Sequence, residues 1–509
     1  MAVPCNSSKM APITTGTVVP HFLTMNSFSN CNRIDSAWTR RELLAKAGGG
    51  LGALALSSLL LEEGHGAVEL GDNPLLARKP HFDGKAKAVI WLFINGGPSH
   101  VDTWDYKPEL TKRDGQKLEG FDPTTGFFDG AVGPLMKSPF EFKQHGQSGA
   151  WVSSLFPHLS KHVDKMAFVK SFHTQSNNHS PALFMANTGV TRMGHPCVGS
   201  WVTYGLGSEN ANLPAFMVMS DPLGRGLPKG HASNWGNGFL PGAFQGTWIN
   251  SKGDPIPNLN RTAGLSDEQQ RTQLGFLREL NNAHRERVDA DAELTARIKS
   301  FELAYRMQQE APDCVNVDSE PEHIKKLYGL DVQKSSHFAR QCLMARRMVE
   351  RGVRFVQIYS GGMENQRSWD GHNDIVGNHT GFAAETDQPI AGLLADLQER
   401  GLLDETLVIW GGEFGRLPVA QKSKNPGRDH NPHAGCYWFA GGGAKGGTSY
   451  GETDEIGHRA EVDKVEIHDL HATILHLLGL DHKKLTFKHS GRRFRLTDVA
   501  GRVLDKIVA

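Results

Sequence analysis

Cysteine is scarce in this 509-residue sequence, and Cys5, Cys31, Cys197, Cys314, Cys342 and Cys436 include no C-x-x-C pair. That spacing excludes a zinc ribbon and a dense disulfide framework, and is compatible with one or two bridges at most. Charge of either sign is not in excess: 55 Lys and Arg face 55 Asp and Glu, and no run of five or more like charges occurs. The electrostatic footprint of a nucleic-acid partner or an acidic membrane surface is therefore missing, and any ligand must be recognised locally. No internal repeat is visible. At 39% hydrophobic and 22% charged, the chain is globular and long enough for one large α/β domain or two smaller ones.

Histidine, by contrast, is plentiful. Many of the 24 histidines fall in polar stretches rich in Gly, Asn and Asp, where an imidazole has no apolar face to fill, which hints at metal chemistry. Near the amino terminus, Thr39-Arg40-Arg41-Glu42-Leu43-Leu44-Ala45-Lys46 precedes the Gly/Ala-rich Ala47 to Leu61. This has the layout of a twin-arginine export signal, with the periplasm or cell exterior as the destination. Its apolar part is too short for a bilayer of about 30 Å, which needs roughly 20 apolar residues. Residues 1–85 are read as signal and linker, and 86–509 as the folded domain, with no transmembrane segment after the signal.

The domain opens with the continuous apolar run Ala86 to Ile94, which ends abruptly at Asn95-Gly96-Gly97-Pro98. Short runs recur at Met166–Lys170, Ala215–Met219, Val353–Tyr359, Thr406–Trp410 and Cys436–Ala440. Helical periodicity lies between them at Ser180–Asn187, Ser336–Arg351, Gly377–Arg400 and Ile467–Leu478. Strands alternating with helices predict an α/β fold with a mostly parallel central sheet covered on both faces. Residues 265–310 differ, being charged and nearly free of glycine. Ser266-Asp267-Glu268-Gln269 reads as a capping box, and Leu294, Ile298, Phe301 and Tyr305 form one apolar stripe, which suggests a helical insertion for packing or partner contact.

In a parallel sheet ligands bind beyond the carboxyl ends of the strands, and polar clusters follow several of these runs. Asn95 and Asp102 offer hard oxygen ligands beside glycines. His179 and Ser180 stand at a helix amino terminus, where free N–H groups favour an anion. A third cluster holds Glu364, Asp370, His372, Asp374 and His379; a fourth runs from Glu413 and Arg416 to Asp429, His430 and His433. Carboxylates and imidazoles gathered at strand ends are what a two-metal hydrolytic site requires.

Together these segments resemble the alkaline phosphatase/sulfatase superfamily, and more closely its branch named domain of unknown function 1501. Phe156-Pro157-His158-Leu159 through Phe172, Leu397 to Trp410 and Leu470 to Gly479 look like sulfatase segments, and the resemblance spans Ala86 to the carboxyl terminus. It implies a sulfatase-like fold, divalent metal ions (zinc or calcium) and Asn95, Asp370, His372 and Glu413 as ligands, with His430 and His433 as added candidates. Departures fall on the signature positions. His179 replaces the sulfatase cysteine, so no formylglycine can form; Glu413-Phe414 replaces Asp-His or Asp-Asn, and Asn95 replaces an aspartate. His179 is placed at the nucleophile position, attacking or merely orienting the anion, and Ser180 is the neighbouring alternative.

Two functions follow as expectations. The first is an exported, metal-dependent hydrolase of sulfate or phosphate esters, acting on an anionic small molecule or a sulfated or phosphorylated glycan. The second is a non-catalytic descendant that binds an anion or glycan, or serves in assembly.

Overall fold

The opening apolar run forms strand β1 (Ala88–Ile94), buried along its whole length. Successive side chains of a strand point to opposite faces, and here both faces are covered. Ile90, Leu92 and Ile94 enter one apolar core, while Val89, Trp91 and Phe93 enter another. A strand with no wet face has no reason to alternate polar with apolar. The computed structural model describes residues 73–509, apart from 129, 252–255, 257–258, 260–263 and 288–291. The export signal, Cys5 and Cys31 lie outside the described residues. Cys197, Cys314, Cys342 and Cys436 are buried free thiols.

Seven further strands join β1: β2 (Met166–Phe172), β3 (Phe216–Met219), β4 (Thr247–Trp248), β5 (Phe355–Ser360), β6 (Thr406–Gly411), β7 (Gly435–Ala440) and β8 (Thr448–Tyr450). Their order across the sheet is β8-β2-β7-β6-β1-β5-β3-β4. β7 is antiparallel to both of its neighbours, and every other pairing is parallel. The expected α/β class holds, with the mostly parallel sheet between two helical layers. Helices α1 (His179–Thr188), α2 (Val198–Leu206) and α7 (Ile467–Leu477) pack into one core, and α5 (Ser336–Glu350) and α6 (Ile375–Glu399) into the other.

The expected helical insertion carries two helices, α3 (Asp267–Arg287) and α4 (Ala292–Val315). Its capping box forms: the Gln269 backbone N–H donates to Ser266 Oγ at 3.1 Å, and the Ser266 N–H to Gln269 Oε1 at 2.9 Å. The stripe through Phe301 is not fully packed, since Phe301 is 69% exposed. Among the described residues no helix is long and apolar enough to cross a membrane.

The turn after β1 requires glycine. Gly96 and Gly97 have φ of 103° and 71°. A Cβ on Gly96 would stand 2.6 Å from the Asp370 backbone nitrogen, and one on Gly97 would strike the Phe414 ring. Left-handed backbone and absent side chains thus let the β1 turn pass directly beneath the loops that follow β5 and β6.

Candidate metal centre

Parallel strands deliver their loops to the same sheet edge, so residues remote in sequence meet there. Asp370 and His372 follow β5, Glu413 and Arg416 follow β6, His430 precedes β7, and His179 opens α1. Potential ligand atoms of His179, Asp370, His372 and His430 all lie within 4.8 Å of one another, and all four residues are buried. His372 Nε2 is 3.0 Å from Asp370 Oδ1 and 2.9 Å from His430 Nε2, which is itself 3.3 Å from Asp370 Oδ1.

The neighbours of these imidazoles fix their tautomers. His430 Nδ1 donates to the Asn177 carbonyl oxygen at 2.5 Å, and His372 Nδ1 donates to Gln421 Oε1 at 2.7 Å. A histidine that gives its Nδ1 hydrogen to a carbonyl presents a lone pair at Nε2. Two lone pairs therefore face each other beside a carboxylate, an arrangement that is repulsive until a cation stands among them.

His179 lies against two acids. Its Nδ1 is 2.8 Å from Glu413 Oε1, and its Nε2 is 3.3 Å from Asp370 Oδ2. Burial alone would push its pKa down, but the Asp370 and Glu413 carboxylates outweigh that and raise it to about 9. His430 moves the other way, held well below its ordinary value by burial and by the charge of His179. Burial opposes ionisation of Asp370, yet the Arg416 guanidinium, 2.7 Å away, and the His179 imidazole keep its carboxyl well below the usual range.

The donor set fits a divalent ion on two counts. Asn95 Oδ1 and Glu413 Oε2 are buried with no hydrogen-bond partner, and buried polar atoms rarely stay that way. The charge is also unbalanced. Asp370, Glu413 and Asp429 are buried carboxylates; Arg416 offsets one of them, and Arg428 is engaged with Asp102 at 2.7 Å. Even a protonated His179 leaves one negative charge over. Imidazole with carboxylate suits zinc better than calcium, which takes oxygen ligands alone.

A cavity of about 160 Å³ opens onto this centre, with Phe127, Phe128, Lys229 and Glu364 around its mouth. The rings of Phe128 and Phe127 lie 5.0 Å from His372 and 5.6 Å from His430. Their loop is pinned by the Phe128 N–H, which donates to Asp429 Oδ2 at 2.8 Å, and by Asn177 Nδ2, which donates to the Gly126 carbonyl at 2.7 Å.

Of the residues singled out in sequence, His179, Asp370, His372, Glu413 and His430 come together. Asn95 sits at the end of β1, its Nδ2 donating to the Gly362 carbonyl. Ser180 follows His179 by about 100° of helix, and its N–H is held by Asn178 Oδ1 at 3.2 Å. His433 is exposed and outside the cluster. Asp102 serves Arg428 and Ser99 instead, Asp374 caps α6, and His379 Nε2 accepts from the Ser99 N–H at 3.0 Å. Sequence reasoning assigned no role to Arg416, Asp429, Asn177 or Gln421, although the first three lie inside the polar clusters; nothing marked Phe127, Phe128 or Lys229.

These features define a mostly parallel α/β protein with a buried histidine–carboxylate centre at the carboxyl edge of its sheet. The chain belongs to the family described as "Protein of unknown function (DUF1501)", matched over residues 86–508. No curated protein matches it. Solved structures similar to it include a sulfatase from Pseudoalteromonas sp., 13% identical, with 87% of this chain and 72% of that one covered at a TM-score of 0.32. Another is the alkaline phosphatase from the Antarctic bacterium TAB5, 10% identical, with 78% and 99% covered, also at 0.32. A phosphonate monoester hydrolase from Silicibacter pomeroyi is 13% identical over 69% and 71% of the two chains, again at 0.32. At such values the likeness says nothing about chemistry.

Proposed function

We propose that this protein is a metal-dependent hydrolase of phosphate or sulfate esters, with a divalent ion held by Asp370, His372 and His430. The observation that carries this reading is the pair of Nε2 atoms of His372 and His430, 2.9 Å apart beside Asp370. A divalent ion held there would lower the pKa of water and offset the negative charge of the ester oxygens. The remaining work falls to side chains. Arg416 holds Asp370 in place. His179, carrying a proton at neutral pH, donates it to the departing oxygen, and Glu413 fixes its ring; this role displaces the attacking one. Lys229 draws the anionic ester to the mouth, and Phe127 and Phe128 exclude water. The substrate fits an anionic small molecule or a sulfated or phosphorylated glycan, and Arg40-Arg41 supports twin-arginine export to the periplasm or beyond.

The test is metal content of the purified protein together with turnover of aryl sulfate, phosphate monoester and phosphodiester substrates, for wild type, His372→Ala and His179→Ala. About one or two equivalents of metal, lost in His372→Ala together with turnover, are expected. Metal-free wild type with no turnover sinks the proposal. The second reading, an anion-binding protein without turnover, rests on protonated His179 and Lys229, which both line the cavity; binding of orthophosphate by metal-stripped protein would support it.

A further inference from the structure

We propose that Glu364 is a specificity-determining residue, which turns the cavity toward esters of single negative charge, sulfate monoesters or phosphodiesters, and away from doubly charged phosphate monoesters. The inference rests on the hydrolase reading above and adds a charge filter to it. Lys229 Nζ lies 2.5 Å from Glu364 Oε2, and both residues line the cavity that opens onto the metal centre. Among the described residues that line it, Lys229 is the only lysine or arginine. An ammonium at that mouth attracts anionic esters. A carboxylate beside it works against them, because it engages the ammonium and repels the same anion. The loss falls on every anion and is larger for a dianion, since Coulomb energy scales with charge.

An exposed ion pair is an ordinary surface feature of little weight. This one is partly desolvated, its side chains 30% and 26% exposed, and its backbone is anchored on both sides. Glu364 stands in the loop after β5 between two fastened neighbours. The Met363 N–H donates to the Arg225 carbonyl oxygen at 3.0 Å, and the Asn365 N–H donates to Asp370 Oδ2 at 2.6 Å. Asn365 and Gln366 have φ of 57° and 41°, a left-handed turn that residues other than glycine keep only where the surroundings impose it. A Cβ on Gly362 would stand 2.4 Å from the Arg225 carbonyl oxygen, so the loop carrying Glu364 lies directly on the loop carrying Lys229. The second loop is fastened in turn: the Arg225 guanidinium donates to Glu385 at 3.1 and 2.8 Å, and the Lys229 carbonyl accepts from Asn234 Nδ2 at 2.7 Å. Solubility gives no reason to seat an acid at the mouth of a cavity for anions. Selection among anions does.

The experiment compares wild type with Glu364→Gln, which keeps the shape of the side chain and removes its charge. Binding of methylphosphonate and methanesulfonate to the full chain is measured by titration calorimetry at alkaline pH, where the first probe carries two charges and the second one. The probes have nearly one shape and no ester bond to cut, so this readout needs no turnover. Because the energy doubles with the charge of the probe, a gain of about 3-fold for methanesulfonate should accompany a gain of about 10-fold for methylphosphonate. In turnover, the kcat/KM of a phosphate monoester should rise by about 3-fold relative to that of an aryl sulfate or a phosphodiester, through KM. The ratio within each protein cancels the intrinsic reactivity of the esters, and the better substrate of wild type separates sulfate monoester from phosphodiester. Equal gains for the two probes, or none, overturn the charge filter while metal content and wild-type turnover leave the hydrolase reading intact. Metal-free protein without turnover fails the hydrolase reading instead, and the probe ratio still decides the filter.

Discussion

Two buried clusters in this chain use the same residue types and are balanced differently. Asp221, His337 and Glu385 bring potential ligand atoms within 4.8 Å of one another, as the Asp370 centre does. In that cluster Arg225 engages Asp221 and reaches Glu385 through two hydrogen bonds of 3.1 and 2.8 Å, while Lys334 lies 3.5 Å from Glu385. Two cations meet two carboxylates, and the protein is its own counter-ion. At the Asp370 centre the carboxylates outnumber the cations, and the imidazoles aim lone pairs inward. Residue types alone therefore do not nominate a metal site; leftover charge and the direction of lone pairs do.

The comparison can be broken most directly at the two central charges. Asp370→Asn removes the anion shared by Arg416, His372 and His430, and a buried pair broken on one side costs about 3–5 kcal/mol. Urea unfolding should show a loss of that order, and metal analysis should find none bound; retention of full metal would end the distinction. Arg225→Ala in the balanced cluster should cost about 3 kcal/mol, toward the lower end because Arg225 is partly exposed. Its metal content should match wild type.

The pH dependence of unfolding sharpens the contrast, because His179 of one cluster and Glu385 of the other act on opposite limbs. In metal-stripped protein the His179 pKa is raised from 6.5 to about 9. Its stabilisation, about 3 kcal/mol, is complete below pH 6.5 and is lost as pH rises through 9. His179→Gln should flatten that alkaline fall. Against the cost of burial, His337 and Arg225 lower Glu385 from 4.5 to about 2. Its contribution is present above pH 4.5 and lost as pH falls toward 2. Glu385→Gln should remove part of the acid fall, Asp370 retaining the rest. The smallest effect is expected from Gln421→Ala, which frees the His372 tautomer and should weaken metal binding about 10–100-fold by titration; an unchanged affinity would mean that Gln421 does not set that lone pair.

The sheet was legible because strands buried on both faces write unbroken apolar runs, and all six expected strands formed. The edge strands Thr247–Trp248 and Thr448–Tyr450 left no such mark, being only two and three residues long and partly exposed. Helix α2 was missed because its glycines and serine dilute the apolar pattern. For the centre, polar residues after strands were a sound guide, and geometry did the sorting. His430 lies in the short strand His430–Asn431 and His433 in the turn that follows it, where it is exposed. Ser180 turns away from His179 because a helix advances about 100° per residue. Which cation offsets which carboxylate depends on three-dimensional neighbours, so the roles of Arg416 and Arg428 could not be read from spacing. Phe127 and Phe128 sit on a loop whose position is fixed by Asn177 and Asp429, remote in sequence.

The reversed direction of β7 has a consequence for how this site could be remodelled. β6 ends on the site edge, and β7, running backward, begins there, so the segment 412–434 leaves and rejoins the sheet on one side. Glu413, Arg416, Gln421, Asp429 and His430 all travel within it. The segment behaves as a cassette: exchanging it rewrites much of the chemistry while the strands on either side keep their register.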